Sequence, residues 1–286
     1  MPDPLLDDLN PKQLRAVTAP DGQVLVLAGA GSGKTRVLTR RLAYLIERQG
    51  VSPYDIIAVT FTNKAAREME SRVTHMLQRE LEGLWLGTFH AMCARLLRRE
   101  SNYLPYKSNF VIFDADDQVS LVKRALHELN IDDKTHRPTG MHAAISAAKN
   151  ELLLPDDMPR RSYRDEVVAR VYKRYQELLV TNNAVDFDDL LLLAARLLEE
   201  HPGVAEKYAR RFGHVLVDEF QDTNLAQYTL LKHLAGYHKN IFVVGDEDQS
   251  IYRWRGADYR NVQRFEQDYP ACVKILLEQN YRSTQN

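Results

Sequence analysis

Short, wholly apolar runs alternate along this chain with longer stretches in which apolar residues recur every three or four positions. Val24-Leu-Val-Leu27 is the first such run. Val37, Leu38, Leu42, Leu45 and Ile46 follow it at helical spacing, and Gly50 with Ser52-Pro53 closes that helix. The unit then repeats: residues 56–61 read as a strand, 63–73 as a helix, 84–88 as a strand and 91–99 as a helix. Continuous apolar strands joined by amphipathic helices predict a parallel sheet covered by helices on both faces.

From residue 106 to 185 the strands nearly vanish. Apart from 110–113, this stretch carries helical patterns at 118–129, 141–152 and 165–179, with loops at 132–138 and 155–161. Ser162-Tyr-Arg-Asp165 resembles a capping box opening the last helix. The α/β rhythm resumes with a helix at 188–200, a strand at 215–217, a helix at 227–234, a strand at 241–244 and a last strand at 274–277. The expected fold is therefore α/β, with a mostly helical domain (107–185) inserted between two parts of the sheet domain (1–106 and 186–286).

Composition narrows the partners. The 286 residues carry a net charge of -1 with 27% charged residues, so a nucleic acid would have to be held by a local face. Cys93 and Cys272 form no C-x-x-C pair and no metal spacing, and read as reduced, buried fillers. The acidic N-terminus has no signal-peptide core, and the apolar run 190–195 is too short to span a bilayer. A cytoplasmic protein with no membrane partner is expected.

The first apolar run ends in Ala28-Gly-Ala-Gly-Ser-Gly-Lys-Thr35. A strand, a glycine-rich turn and a helix opening at Lys-Thr form a nucleoside-triphosphate cradle. In it the backbone of Ala28, Gly29, Ala30, Gly31, Ser32 and Gly33 surrounds the phosphates, Lys34 reaches the β and γ groups, and Thr35 ligates Mg²⁺. A strict G-x-x-x-x-G-K-[ST] pattern would place glycine at 28, where this chain has Ala28. A chance Lys-Thr after a glycine turn is the bland alternative; the apolar run before it and the amphipathic pattern after it weigh against that. Val215-Leu-Val-Asp-Glu219 supplies the acids such a site needs. Asp218 is placed to hold Mg²⁺ and Glu219 to act as general base on water. Taken alone, a strand followed by an acidic turn is common.

After Ile241-Phe-Val-Val-Gly-Asp246 comes a loop mixing amide, aromatic and guanidinium groups. Its Gln249 could touch a γ-phosphate, and Tyr252, Trp254 and Arg255 are types that stack on unpaired bases and grip phosphates. A tryptophan that merely anchors the loop is an equally good reading of that residue by itself.

In order and content these segments resemble the superfamily 1 DNA helicases of the UvrD/PcrA/Rep family. Leu9-Asn-Pro-Lys-Gln13 is similar to the adenine-reading Q motif, 29–36 to motif I, Thr60-Phe-Thr-Asn-Lys-Ala-Ala66 to motif Ia, and Gly87-Thr-Phe-His90 to motif Ib. Asp218-Glu-Phe-Gln-Asp222 resembles motif II, 245–257 motif III, and Gln279-Asn-Tyr-Arg-Ser283 motif IV. The resemblance implies a RecA-like ATPase domain using ATP and Mg²⁺. It implies adenine contacts from Gln13 and Tyr281, a nucleotide contact from Arg36 within motif I, γ-phosphate contacts from Gln249 and Arg282, and a single-strand DNA face containing Phe61, Asn63, His90, Phe187, Tyr252, Trp254 and Arg255. By residue type alone, Phe187 and His90 would be assigned to the core.

The implied activity is an ATP-dependent 3′ to 5′ helicase or translocase acting on single-stranded DNA and its junctions with duplex, in repair or replication, in the nucleoid. The chain stops after motif IV, so it reads as the N-terminal portion of such a motor without the second motor domain. It is then expected to be monomeric and to bind nucleotide and single strands weakly, with little ATPase and no unwinding. The motor of a helicase-nuclease, a P-loop small-molecule kinase and a non-catalytic binding module are the alternatives. A kinase has no use for Glu219 beside Asp218 or for an exposed Trp254.

Overall fold

A computed structural model describes residues 3, 5–29, 31–246 and 260–278. In chain order its strands are β1 (Gln23–Ala28), β2 (Ile56–Thr60), β3 (Trp85–Thr88), β4 (Val111–Ile112), β5 (Ala184–Val185), β6 (His214–Val217), β7 (Ile241–Gly245) and β8 (Val273–Leu277). The helices are α1 (Pro11–Val17), α2 (Lys34–Glu47), α3 (Asn63–Leu77), α4 (Phe89–Arg99), α5 (Ala115–Glu128), α6 (Pro138–Asn150), α7 (Tyr163–Thr181), α8 (Phe187–Glu200), α9 (Pro202–Arg211), α10 (Leu225–Leu234) and α11 (Arg260–Asp268).

The chain divides into two compact units. The first comprises Met1–Phe89, Pro202–Asn224 and Leu231–Asn286. Six strands form its sheet, in the order β3-β2-β6-β7-β1-β8, all parallel. Their apolar character follows from burial on both faces: every residue of β2, β6 and β7 is buried. Val26 lies opposite Val244 on one side and Ile275 on the other. Leu38 and Leu42 of α2 and Met69 and Val73 of α3 close over this face. At the β3 edge Trp85 is 1% exposed, packed edge-on to Phe212 at 5.1 Å with the Arg211 guanidinium over its ring.

Side-chain hydrogen bonds fasten the segment after β6. Asn261 of α11 is fully buried, and its amide donates to the Thr223 carbonyl (2.8 Å), the Thr223 hydroxyl (3.1 Å) and the Asn224 carbonyl (3.3 Å). The neighbouring Phe265 ring meets Phe220 edge-on at 5.6 Å. One helix thus grips the turn that follows the Asp218-Glu219 pair from two sides.

The second unit comprises His90–His201 and Leu225–Leu230, starting earlier and ending later than the helical segment expected from sequence. Helices α5, α6 and α7 pack around Leu126, Ile145, Val171, Tyr172 and Leu179. Asp114 caps α5 reciprocally with Asp117, and the Ser162 hydroxyl accepts from the Asp165 amide at 3.2 Å to open α7. The apolar patch at 110–113 becomes the two-residue strand β4, parallel to β5.

Four elements escaped the sequence pattern. Strand β5 is too short to show a period, α9 has only three buried residues, and α11 is polar outside Val262 and Phe265. Helix α1 announces itself through a capping box, Asn10 with Gln13, rather than through hydrophobic period. Helix α6 starts three residues before its expected start because Pro138 occupies its first turn, where a fixed φ and a missing N–H cost nothing. Cys93 is buried as expected, but Cys272 is only half-buried. Among the described residues no helix is long and apolar enough to cross a membrane.

Replacing Asn261 by Leu removes the buried donor that serves the Thr223 carbonyl and hydroxyl and the Asn224 carbonyl. Urea denaturation should show a loss of about 1–3 kcal/mol. An unchanged midpoint would mean that the grip on this turn contributes nothing.

Candidate active site and nucleic-acid interface

Three neighbouring strands, β1, β7 and β6, end at the same edge of the sheet, and the loops leaving them bring the candidate residues together. After Ala28 the chain turns sharply. Gly31 at φ +75° and Gly33 at φ +87° occupy the left-handed region, where a side chain would be strained. A Cβ on Gly33 would also lie 2.9 Å from the Gln13 amide nitrogen. Ala28 is the last residue of β1 and has no positive φ, so the departure from glycine there carries no backbone cost. The Ser32 hydroxyl donates to the Gly29 carbonyl at 2.7 Å and fixes the loop from within. Gly33 then starts α2 without a side-chain cap, so the first-turn amides and the positive end of the helix dipole are presented to an anion.

Lys34 sits in the middle of the acids. Its ammonium is 2.9 Å from Asp246 and 3.6 Å from Glu219. Thr35, next to Lys34 in the first turn of α2, helps to keep the buried Asp218 carboxylate charged. Burial, reinforced by the adjacent Glu219, pushes Asp218 up to about 7, against the pull of Lys34 and Thr35. Asp222 is pushed up to about 6 by burial, with Glu219 and Asp246 adding to it and Lys34 opposing. Its Oδ1 is buried without a hydrogen-bond partner among the described residues.

Glu219 is held in an unusual backbone conformation, φ +46° and ψ +46°, which costs a non-glycine residue on the order of 1 kcal/mol. Its surroundings enforce it. The Glu219 amide donates to Asp218 Oδ1 (3.1 Å), the Asp222 amide donates to the Glu219 carbonyl (2.9 Å), and the Gln221 amide donates to Glu219 Oε2 (2.9 Å). The other end of Gln221 accepts from the Asp246 backbone amide at 2.9 Å. Gly245 lies where a Cβ would meet that same Gln221 oxygen at 3.1 Å. Gln221 thus fastens the carboxylate of Glu219 to the end of β7.

Gln13 is 1% exposed, and both ends of its amide are engaged: Nε2 donates to the Ser32 carbonyl (3.0 Å) and Oε1 accepts from the Asn10 amide (3.2 Å). It is tied to the glycine loop rather than presented at the surface. Arg36 donates to the Asp8 carbonyl at 2.9 Å. Asp246 and Gln221 are the residues that sequence reasoning left without a role. They lie inside quoted motifs, but only the adjacency of β6 and β7 gives each a partner.

Candidate nucleic-acid residues are found in both units. In the first, Phe61 is half-buried with its ring edge-on to Phe89 at 5.7 Å, and Asn63 is exposed as the first residue of α3, after the Thr62 cap. In the second, His90 and Phe187 meet edge-on at 5.9 Å. Phe187 is 48% exposed, which corrects its assignment by residue type to the core: it occupies the first position of α8, where the helix leaves the packed interior. Ala30, Gln249, Tyr252, Trp254, Arg255, Tyr281 and Arg282 lie outside the described residues.

A glycine loop opening a helix, two adjacent acids after β6 and a strand-end aspartate on the loop lysine are thus brought together at one end of the sheet. The chain matches the UvrD/REP helicase N-terminal domain family over residues 9–270 and belongs to that family. It is 50% identical over 284 residues to the ATP-dependent DNA helicase PcrA of Staphylococcus epidermidis, covering 99% of this chain and 39% of the relative. It is 51% identical over 282 residues to the PcrA of Staphylococcus aureus, covering 98% of this chain and 39% of the relative. The chain therefore spans about two-fifths of the length of these relatives. Family membership sets aside the small-molecule kinase reading.

A carboxyl held above its unfolded value takes up a proton on folding in the window between the two. For Asp218 that window runs from about 4 to about 7, and stability falls as pH rises through it. Asp218→Asn should flatten the pH dependence of urea stability between pH 5 and 7 by up to about 1.4 kcal/mol per pH unit and make the protein more stable at pH 8. A variant with the wild-type slope would contradict the burial argument.

Proposed function

We propose that this chain supplies one wall of the Mg²⁺-ATP site of a DNA helicase motor, together with part of its single-strand track. The observation that carries the reading is the convergence of Lys34, Thr35, Asp218 and Glu219 at the ends of neighbouring strands. In this reading the amides of the glycine loop and the Lys34 ammonium bind the β- and γ-phosphates, which draw Lys34 from Asp246 and Glu219. Glu219, fixed by Gln221, accepts a proton from the attacking water.

Thr35 and Asp218 would hold Mg²⁺. Both offer hard oxygen donors, and the unpartnered buried oxygen of Asp222 adds to the same acidic environment. Few protein ligands suit Mg²⁺, which keeps waters and phosphate oxygens around it, and bound there with the nucleotide it neutralises charge on the transferring group. The donor set fits. Gln13 and Tyr281 are assigned to the adenine, with Gln13 also fixing the loop, Arg36 to the nucleotide, and Gln249 and Arg282 to the γ-phosphate.

For the nucleic acid, Phe61, Asn63, His90, Phe187, Tyr252, Trp254 and Arg255 are assigned to unpaired bases and phosphates. Half-exposed Phe187, supported at its edge by His90, favours stacking. Translocation from 3′ to 5′, action at single-strand junctions and a place in repair or replication extend this reading to the whole motor.

Two measurements test it. In a protein of the relatives' full length that contains this chain, Glu219→Gln should lower Mg²⁺-ATP turnover in the presence of single-stranded DNA by at least about 100-fold, with nucleotide affinity within about threefold. Labelled oligo(dT) titrated at several salt concentrations should bind with a log-log slope of about -0.7 per phosphate contact. Undiminished turnover in Glu219→Gln, or binding indifferent to salt, would overturn the assignment.

A further inference from the structure

Lys149 of α6 carries no part of any motif, yet it is one of the most completely buried charged groups described. Its side chain is 0% exposed, and its ammonium lies 2.7 Å from Asp186 and 2.7 Å from Asp189. The Tyr175 and Tyr172 rings stand 5.0 and 5.6 Å from it. The Tyr175 hydroxyl donates to Asp186 at 2.8 Å, and the Gln176 amide donates to Asp189 at 3.0 Å. Asn150, next to Lys149, donates to Asp188 at 3.2 Å. Asp186 and Asp189 also cap each other's backbone: the Asp189 amide donates to Asp186 at 2.7 Å and the Asp186 amide to Asp189 at 3.2 Å.

All these bonds converge on three of four consecutive residues, Asp186, Asp188 and Asp189. The fourth is Phe187, the exposed one. An N-cap needs only Asp186 and its reciprocal partner; a buried ammonium beneath them is far more than capping requires. As a contribution to stability alone such a cluster is a poor choice, because a well-packed apolar set of the same volume does as well or better. In some proteins buried ions supply conformational specificity instead, and the residues tied together here are those of the first turn of α8.

We propose that Lys149, with Tyr175 and Gln176, is the positioning group for Phe187: the buried ion cluster locks the first turn of α8 so that the Phe187 ring is presented, against His90, to an unpaired base. This rests on the reading of Phe187 as a stacking residue. A base stacked on an aromatic ring gains only if the ring is already oriented, since ordering it on binding would consume part of the stacking energy. Lys149 acts at a distance from the base, through the helix turn.

The experiment is a double-mutant cycle on Lys149→Met and Phe187→Ala, with Tyr175→Phe as the milder second variant. Binding of a labelled oligo(dT) and quenching of 2-aminopurine within a single strand are read alongside affinity for a fluorescent ATP analogue. Phe187→Ala should weaken oligo(dT) binding about tenfold and abolish its share of the quenching. Lys149→Met should lose much of the same binding and quenching with nucleotide affinity unchanged, and the double variant should bind no worse than Phe187→Ala alone. Where Lys149→Met does not fold, as judged by circular dichroism, Tyr175→Phe should give the same pattern at about threefold. Additive losses, or Lys149 and Tyr175 variants that bind and quench as wild type while Phe187→Ala does not, would overturn the positioning role. Phe187→Ala binding as wild type would instead overturn the stacking reading, and the positioning role with it.

Discussion

The end of the sheet where β1, β6 and β7 stop depends on one ammonium. Asp218, Glu219, Asp222 and Asp246 crowd the ends of two neighbouring strands, and burial makes the negative charge of Asp218 and Asp222 expensive. Lys34 offsets it, reaching Asp246 and Glu219 directly and lowering the pKa of both Asp218 and Asp222. The same charge is what a triphosphate would recruit. A site that stores its binding group on its own acids is held together until the ligand takes over, and burial of the pair keeps solvent from screening that exchange.

Parallel topology makes the arrangement possible. With β1 beside β7 and β7 beside β6, the loops after all three strands leave from one edge, so residues separated by about two hundred positions in sequence become hydrogen-bonding neighbours. Gln221 exploits this by bonding Glu219 with one end of its amide and the backbone of Asp246 with the other. Its bonds help to maintain the left-handed backbone of Glu219. Glu219 and Asp246 are thereby mechanically joined across the ends of β6 and β7.

Much of this was legible before any coordinates. The apolar strands 24–27, 56–61, 215–217 and 241–244 stood out because burial on both faces leaves them no polar positions, and Lys34, Thr35, Asp218 and Glu219 because phosphate and water chemistry requires those types at strand ends. Side-chain partnerships were not legible. Nothing in the spacing of Lys149 and Asp186 indicates that they meet, because a contact between α6 and the start of α8 depends on how a helical bundle packs. Helix α11 was missed because only Asn261, Val262 and Phe265 are buried, and its polar Asn261 belongs to the fastening of another segment. Phe187 is the opposite case, an apolar residue left 48% exposed at the first position of α8, where residue type alone suggests core.

The most direct test of the account is the affinity of Lys34→Ala for a fluorescent Mg²⁺-ATP analogue, with folding monitored by circular dichroism. If Lys34 is the group that passes from Asp246 and Glu219 to the phosphates, the folded variant loses at least about tenfold in affinity. A folded Lys34→Ala that binds the nucleotide within about twofold of wild type would contradict it.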